Sequence, residues 1–267
     1  MERLLERLKT ENAFAVLAVS ISFLVYSTTL CPTVTYIDSG ELAAVASTIG
    51  IAHPTGYPLF TMIGRIMVMI PMGLEAILQL NLMSAILTAL AVGLFYKLSW
   101  LVLTITQVAG TSASSSAEKR GAALTVVLTG TLSFAFGTTI WTQSAAIEVY
   151  SLHIFLLTAS LFCFLKGIVE QKENPENISR WLILSFFVTG LAFTNHMTMI
   201  LIIPAMLFLF LVKFGWGKES LILASRSIPF FFIGCSLYLV LPIRSTSNPL
   251  LDWGHPAELT RFFWHIS

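Results

Sequence analysis

Two carboxylates three positions apart, in Tyr36-Ile37-Asp38-Ser39-Gly40-Glu41, are followed twelve residues later by His53-Pro54-Thr55-Gly56-Tyr57-Pro58. Two acids, an imidazole and a phenol in so short a stretch are the side chains of proton transfer. A carboxylate there can take a proton from an acceptor hydroxyl as a general base. Asp38 with Glu41 also has the spacing of a capping box at the start of a helix, and the two roles are compatible. The two prolines and the glycine of the second motif specify a rigid turn. Five more candidates follow. Arg65 and Arg244 offer the planar fork that suits a phosphate, although Arg65 could pair with Glu75 and Arg244 could be an interfacial anchor. Glu148 lies in Glu148-Val149-Tyr150, between two apolar runs. His196 ends Thr194-Asn195-His196, and Asn248-Pro249 follows Leu241-Pro242-Ile243-Arg244.

The elements that position these residues read as membrane spans. The chain has 267 residues, of which 56% are hydrophobic and 11% charged, with a mean hydropathy of +0.82. Soluble domains carry about 25% charged residues, so the composition is that of an integral membrane protein. A net charge of +1 suggests no nucleic-acid partner. Cys31, Cys163 and Cys235 stand far apart in or beside apolar runs, with neither zinc spacing nor a disulfide framework. They read as small hydrophobic residues. No phosphate-binding loop, dinucleotide fingerprint or internal repeat is present.

Apolar runs fall near 13–30, 76–106, 121–141, 152–169, 181–194, 197–212 and 227–243. The first is long enough to span and is read as an uncleaved signal anchor. With seven spans and a cytoplasmic N-terminus, twelve basic residues are inside: Arg3, Arg7, Lys9, Lys97, Lys119, Arg120, Lys166, Lys172, Arg180, Lys213, Lys218 and Arg226. Arg65, Arg244 and Arg261 complete the 15 and lie outside. Merging 181–212 into one span spoils this asymmetry, so the positive-inside rule favours a hairpin turning at Asn195-His196. All five histidines (His53, His153, His196, His255, His265) then lie at the outer boundary, with Asp38, Glu41, Glu75, Glu148, Asp252 and Glu258. Ionisable residues gathered at one membrane boundary mark a functional site.

The ordered set of Asp-x-Gly-Glu, His-Pro-x-Gly-Tyr-Pro-Leu, Glu148-Val149-Tyr150-Ser151-Leu152, Gly190-Leu191-Ala192 up to His196, and Leu241-Pro242-Ile243-Arg244 with Asn248-Pro249 resembles a known family. This is the bacterial membrane-protein family related to protein O-mannosyltransferases, glycosyltransferase family 117. The resemblance implies an all-α GT-C fold, a multi-span bundle with short interfacial helices in the first outer loop. It implies a polyprenyl-phosphate-linked sugar donor, such as a mannose donor, and an outer-side acceptor such as a protein Ser or Thr hydroxyl. By it Asp38 and Glu41 are the catalytic candidates and Arg65 and Arg244 the donor-phosphate candidates. His53, Tyr57, Glu148, His196 and Asn248 complete the expected substrate contacts. No cofactor or metal is required, because the leaving group is already an anion; a divalent metal stays compatible with the site. The expected location is a bacterial inner membrane with the site facing outwards. The 267 residues are expected to be one transmembrane domain, the N-terminal part of a longer GT-C architecture. A lipid or small-molecule transporter, or a non-catalytic fragment or assembly subunit, are the alternatives. A transporter predicts midplane charges and repeat symmetry.

Overall fold

The structure is a computed structural model. It describes residues 2–35, 38–106, 116–171 and 177–267, with side chains from Lys9 onwards. Tyr36, Ile37, Lys172 and most of the Ser-rich stretch near 111–116 lie outside the described residues.

All named elements are helical: α1 (Glu2–Thr28), α2 (Ser39–Thr48), α3 (Pro58–Met69), α4 (Ala76–Ile105), α5 (Ala117–Ala135), α6 (Thr138–Ala145), α7 (Val149–Glu170), α8 (Arg180–Phe193), α9 (Ile203–Phe214), α10 (Lys218–Cys235), α11 (Val240–Ser245) and α12 (Leu259–Ile266). Tight 3-10 turns, Met197–Ile202 and Ser236–Leu239, lead into α9 and α11. Among the described residues, five stretches are long and apolar enough to cross a membrane: Lys9–Thr28, α4, α7, Met197–Phe214 and Lys218–Ser245. The run expected at 121–141 is broken. α5 ends at Ala135, Gly137 starts a new helix, and α6 leaves at 62°; the bent pair counts as a sixth span if taken together. The run expected at 181–194 is α8, apolar but only 14 residues long, about 21 Å against a hydrocarbon core of about 30 Å.

The long helices alternate in direction. Ser185 Oγ donates to Ser160 O, and Asn195 Nδ2 to Val149 O, so α8 runs antiparallel to α7. Phe164, Leu182, Met206, Phe210 and Leu223 form one cluster, bringing the start of α8 beside the end of α9. The chain therefore reverses at Asn195–His196, as the basic residues had indicated. α8 and α10 then run side by side in the same direction. At their crossing a Cβ on Gly190 would stand 2.1 Å from Phe231 O, and one on Gly234 2.4 Å from Phe187 O. Two glycines let these backbones touch, the usual device where packing rather than water drives helix association. Gly190→Val is expected to separate α8 from α10 and lower the melting temperature by several degrees. A thermal-shift assay in detergent tests this, and an unchanged midpoint would count against the close crossing.

At the opposite end from Arg120, which pairs with Glu11, the ends of α1, α4, α7, α8 and α10 meet the short helices α2, α3, α11 and α12. The principal core lies beneath this layer and includes Leu42, Phe60, Leu80, Ile147, Leu152 and Met199. The three cysteines are unpaired, Cys163 buried and Cys31 and Cys235 partly so.

Candidate active site

α2 begins directly after Asp38, but the capping box is not formed. Asp38 occupies the cap position without a side-chain capping hydrogen bond. Glu41 turns forward instead. Its Oε1 accepts the His53 backbone N–H at 2.7 Å, and its Oε2 lies 3.1 Å from His53 Nδ1. The chain can return in twelve residues because Ile49 closes α2 in the left-handed region (φ 53) and Gly50 N–H bonds to Val45 O. A carboxylate on Nδ1 calls for the proton there and leaves Nε2 as the acceptor. That Nε2 stands 3.1 Å from the Tyr57 hydroxyl and 3.8 Å from Asp38 Oδ2. Tyr57 is buried, also in the left-handed region, with Pro58 opening α3 behind it. Burial pushes its phenol up to about 12, so it is a neutral hydrogen-bonding group. Asp38 is the more open acid, with 43% of its side chain exposed against 25% for Glu41.

Glu148, the residue before α7, belongs to the same field. Burial raises its carboxyl to about 6, Asp38 adds to the rise, and His53 opposes it. A base poised near the working pH suits proton transfer. The folded state keeps this proton longer than the unfolded chain, whose carboxyl titrates near 4.5. Between pH 4.5 and about 6 the folded state therefore binds more protons, and stability falls as pH rises through that window. Glu148→Gln is expected to flatten this part of the melting-temperature profile. An unchanged slope would place the burial elsewhere.

His196 lies beside the cluster, its ring 6.5 Å from Tyr57, 5.1 Å from Tyr150 and 5.0 Å from His153. Thr198 Oγ1 links His196 Nδ1 (2.8 Å) and His153 Nε2 (3.2 Å). Burial lowers His196, favouring the neutral ring.

The two arginines are placed differently from the acids. Arg65 donates to Ser47 O, and Arg244 donates from Nε to Ile49 O (2.7 Å) and from Nη2 to Thr48 O (3.3 Å). Both guanidiniums hold the C-terminal carbonyls of α2, where cations are favoured, about 10 Å along the helix from Glu41. The alternative pairing of Arg65 with Glu75 is not among the ion pairs of the described residues. Asn248 is an exposed turn residue at φ 48, a conformation Asn tolerates well. Its backbone N–H bonds Ser245 O.

Asn81 is a positioning residue that sequence reading passed over. Fully buried in α4, it donates to Cys31 O (2.8 Å) and accepts from Ile147 N–H (2.8 Å). One side chain thus ties the segment before Asp38 to the segment before Glu148. A lone amide inside an apolar run was the available signal.

One oxygen each of Asp38 and Glu41 and one nitrogen of His53 lie within 4.8 Å of one another, a spacing that could hold a divalent cation. Such an ion would have to compete with the bond between Glu41 and His53.

Fold and site together define an all-helical protein with several membrane-length apolar helices and an acid–histidine–tyrosine site where their ends meet the short helices. Residues 38–220 match the family "Protein O-mannosyl-transferase TMEM260 N-terminal domain", and the chain belongs to that family. Mouse protein O-mannosyl-transferase TMEM260 is 30% identical over 236 residues, covering 86% of this chain and 30% of the mouse protein. The Dictyostelium discoideum protein of the same name is 29% identical over 289 residues, covering 99% of this chain and 32% of that protein. The chain thus spans about a third of the length of these curated relatives. No solved structure matches it.

Proposed function

We propose that this chain carries the acid site of a GT-C-type membrane glycosyltransferase. The enzyme moves a sugar such as mannose from a polyprenyl-phosphate donor to an acceptor hydroxyl, such as a protein Ser or Thr, on the outer side of the membrane. Support comes from family membership and from the names of the mouse and Dictyostelium relatives, both protein O-mannosyl-transferases. The observation that carries the reading is the open Asp38 beside the ordered set of Glu41, His53 and Tyr57. Asp38 accepts the acceptor's proton. The acceptor oxygen bonds to the anomeric carbon as the bond from that carbon to phosphate oxygen breaks, and polyprenyl phosphate leaves with the electron pair. Glu41 acts through His53, fixing its ring, and His53 with Tyr57 sets the polar wall beside Asp38. Glu148 supplies a further negative charge once ionised, favourable to positive charge developing on the sugar.

Arg65 and Arg244, the part-buried arginines of the short-helix layer, are assigned to the donor phosphate. A guanidinium has five N–H donors, and the α2 carbonyls take one or two of them here. Arg244→Lys keeps the charge and loses the fork. It is expected to weaken binding of polyprenyl-phosphate mannose roughly tenfold with little change in melting temperature. Lower stability with unchanged donor affinity would leave Arg244 as a clamp on α2 alone.

The orientation is tested by labelling. In a cysteine-free background, Glu219→Cys and Asn174→Cys are expected to resist an impermeant reagent in intact cells, and Val34→Cys and Asn248→Cys to react. Labelling of Asn174→Cys from outside would overturn the outward-facing site. The direct test is sugar transfer from a polyprenyl-phosphate donor by the full-length protein. Absence of transfer with every such donor would overturn the transferase reading.

A further inference from the structure

The segment from Ser245 to His255 plays no part in the steps above, yet it lies against the catalytic turn. Ile51 N–H donates to Leu251 O (2.8 Å), and Trp253 N–H donates to Ile51 O (3.3 Å). This pairs the segment with Ile51, two residues before His53. The buried Ser245 hydroxyl lies 3.0 and 2.9 Å from the Asp252 carboxylate oxygens and 3.2 Å from His255 Nδ1, and Nδ1 lies 2.6 Å from Asp252 Oδ2. This is not a nucleophilic triad. Serine and aspartate share one imidazole nitrogen, so the ring does not stand between them. The three residues form a clasp that closes a loop of fixed shape.

A second contact supports the clasp from below. His265 of α12 is 3% exposed. A Cβ on Gly56 would come within 2.9 Å of its Nε2, and one on Gly254 within 2.8 Å of its Nδ1. Gly56 and Gly254 both hold positive φ (79° and 69°), so the imidazole is wedged beneath the His53 turn and the Trp253 turn together. The product of clasp and wedge is a single large side chain. Trp253 is 55% exposed, with its ring 6.4 Å from the His53 ring at 77°. A tryptophan that merely anchors a protein at the lipid interface needs no such support and no place beside an acid site.

We propose that Trp253 is a stacking platform for the pyranose ring of the donor sugar. It would be a binding and specificity-determining residue for the transfer, and this rests on the transferase reading above. The indole face is electron-rich and suits the C–H face of a pyranose, while the ring hydroxyls turn towards the polar groups around Asp38. A large rigid aromatic loses little freedom on binding, and here the clasp has already fixed its backbone.

The experiment uses the full-length protein and two probes, polyprenyl-phosphate mannose and the bare polyprenyl phosphate. Wild-type protein is expected to bind the sugar-bearing lipid more tightly than the bare one. Trp253→Ala is expected to reduce that preference about three- to tenfold and to raise KM for the donor by a similar factor, with a smaller change in kcat. Trp253→Phe keeps a flat ring and is expected to restore most of both. Unchanged donor KM and an unchanged preference in Trp253→Ala would overturn the platform. So would a rise in KM for the acceptor alone, which would move the indole to the acceptor side. A loss of melting temperature in Trp253→Ala that Trp253→Phe repairs without repairing donor KM would reduce Trp253 to a wedge. Wild-type protein that neither transfers sugar nor prefers the sugar-bearing lipid would overturn the transferase reading itself.

Discussion

Asp38→Asn is expected to cut sugar transfer by about 10²–10⁴-fold, the usual cost of losing a general base, with the melting temperature unchanged. Asparagine keeps the shape but cannot accept the acceptor's proton. Stability should hold because Asp38 makes no capping hydrogen bond to α2 and is the more open of the two acids. Glu41→Gln should behave differently. The amide can still meet His53, but its charge is lost, and a neutral partner no longer fixes the Nδ1 proton as firmly. A loss of one to two powers of ten is expected, again about what a displaced or mis-oriented catalytic group costs, together with a changed pH profile. Transfer from a polyprenyl-phosphate donor and thermal stability are measured side by side in the full-length protein. Near-normal transfer in both variants would remove the acids from the chemistry. A larger loss in Glu41→Gln than in Asp38→Asn would exchange their roles.

Asn81→Ala is the second large effect. The substitution removes an amide that satisfies Cys31 O and Ile147 N–H in a site closed to water. Each buried backbone group left unpaired costs about 1–3 kcal/mol, so for two groups a loss of about 2–6 kcal/mol is expected. The two segments released are those that lead into Asp38 and Glu148, so transfer should fall with stability. Asn81→Asp removes the donor alone. It can still accept from Ile147 N–H, but its ionised carboxylate faces the Cys31 carbonyl with no donor between them in a site closed to water, so it should lose at least as much stability and transfer as Asn81→Ala. A melting temperature and transfer rate untouched by Asn81→Ala would show that the two segments are held by other contacts.

The sequence and the structure divide this protein along a physical line. Hydrophobic runs report their own burial, because an apolar stretch of spanning length has one stable environment. Most of the long helices were therefore legible, and so was the reversal at Asn195–His196, which follows from where the basic residues fall. The proximity of Asp38, Glu41, His53 and Tyr57 was legible too, because one short loop carries all four. What failed was local. The capping box has the right spacing, yet Glu41 faces His53, and a return of the chain through Ile49 and Gly50 decides that contact. The bend at Gly137 likewise interrupts a run that hydropathy reads as continuous.

Sequence alone determined the helical class, the rough placement of the long apolar helices and the gathering of ionisable groups at one end, because these depend on composition and on neighbours in the chain. Only the tertiary structure decided which group holds which. It set Arg65 and Arg244 on the carbonyls of α2, Asn81 between two distant segments, and Trp253 beside His53 across two hundred residues of chain. Such contacts are made by side chains whose hydrogen-bonding partners lie far away in sequence. No periodicity records them, and buried polar groups must find those partners or unfold the site.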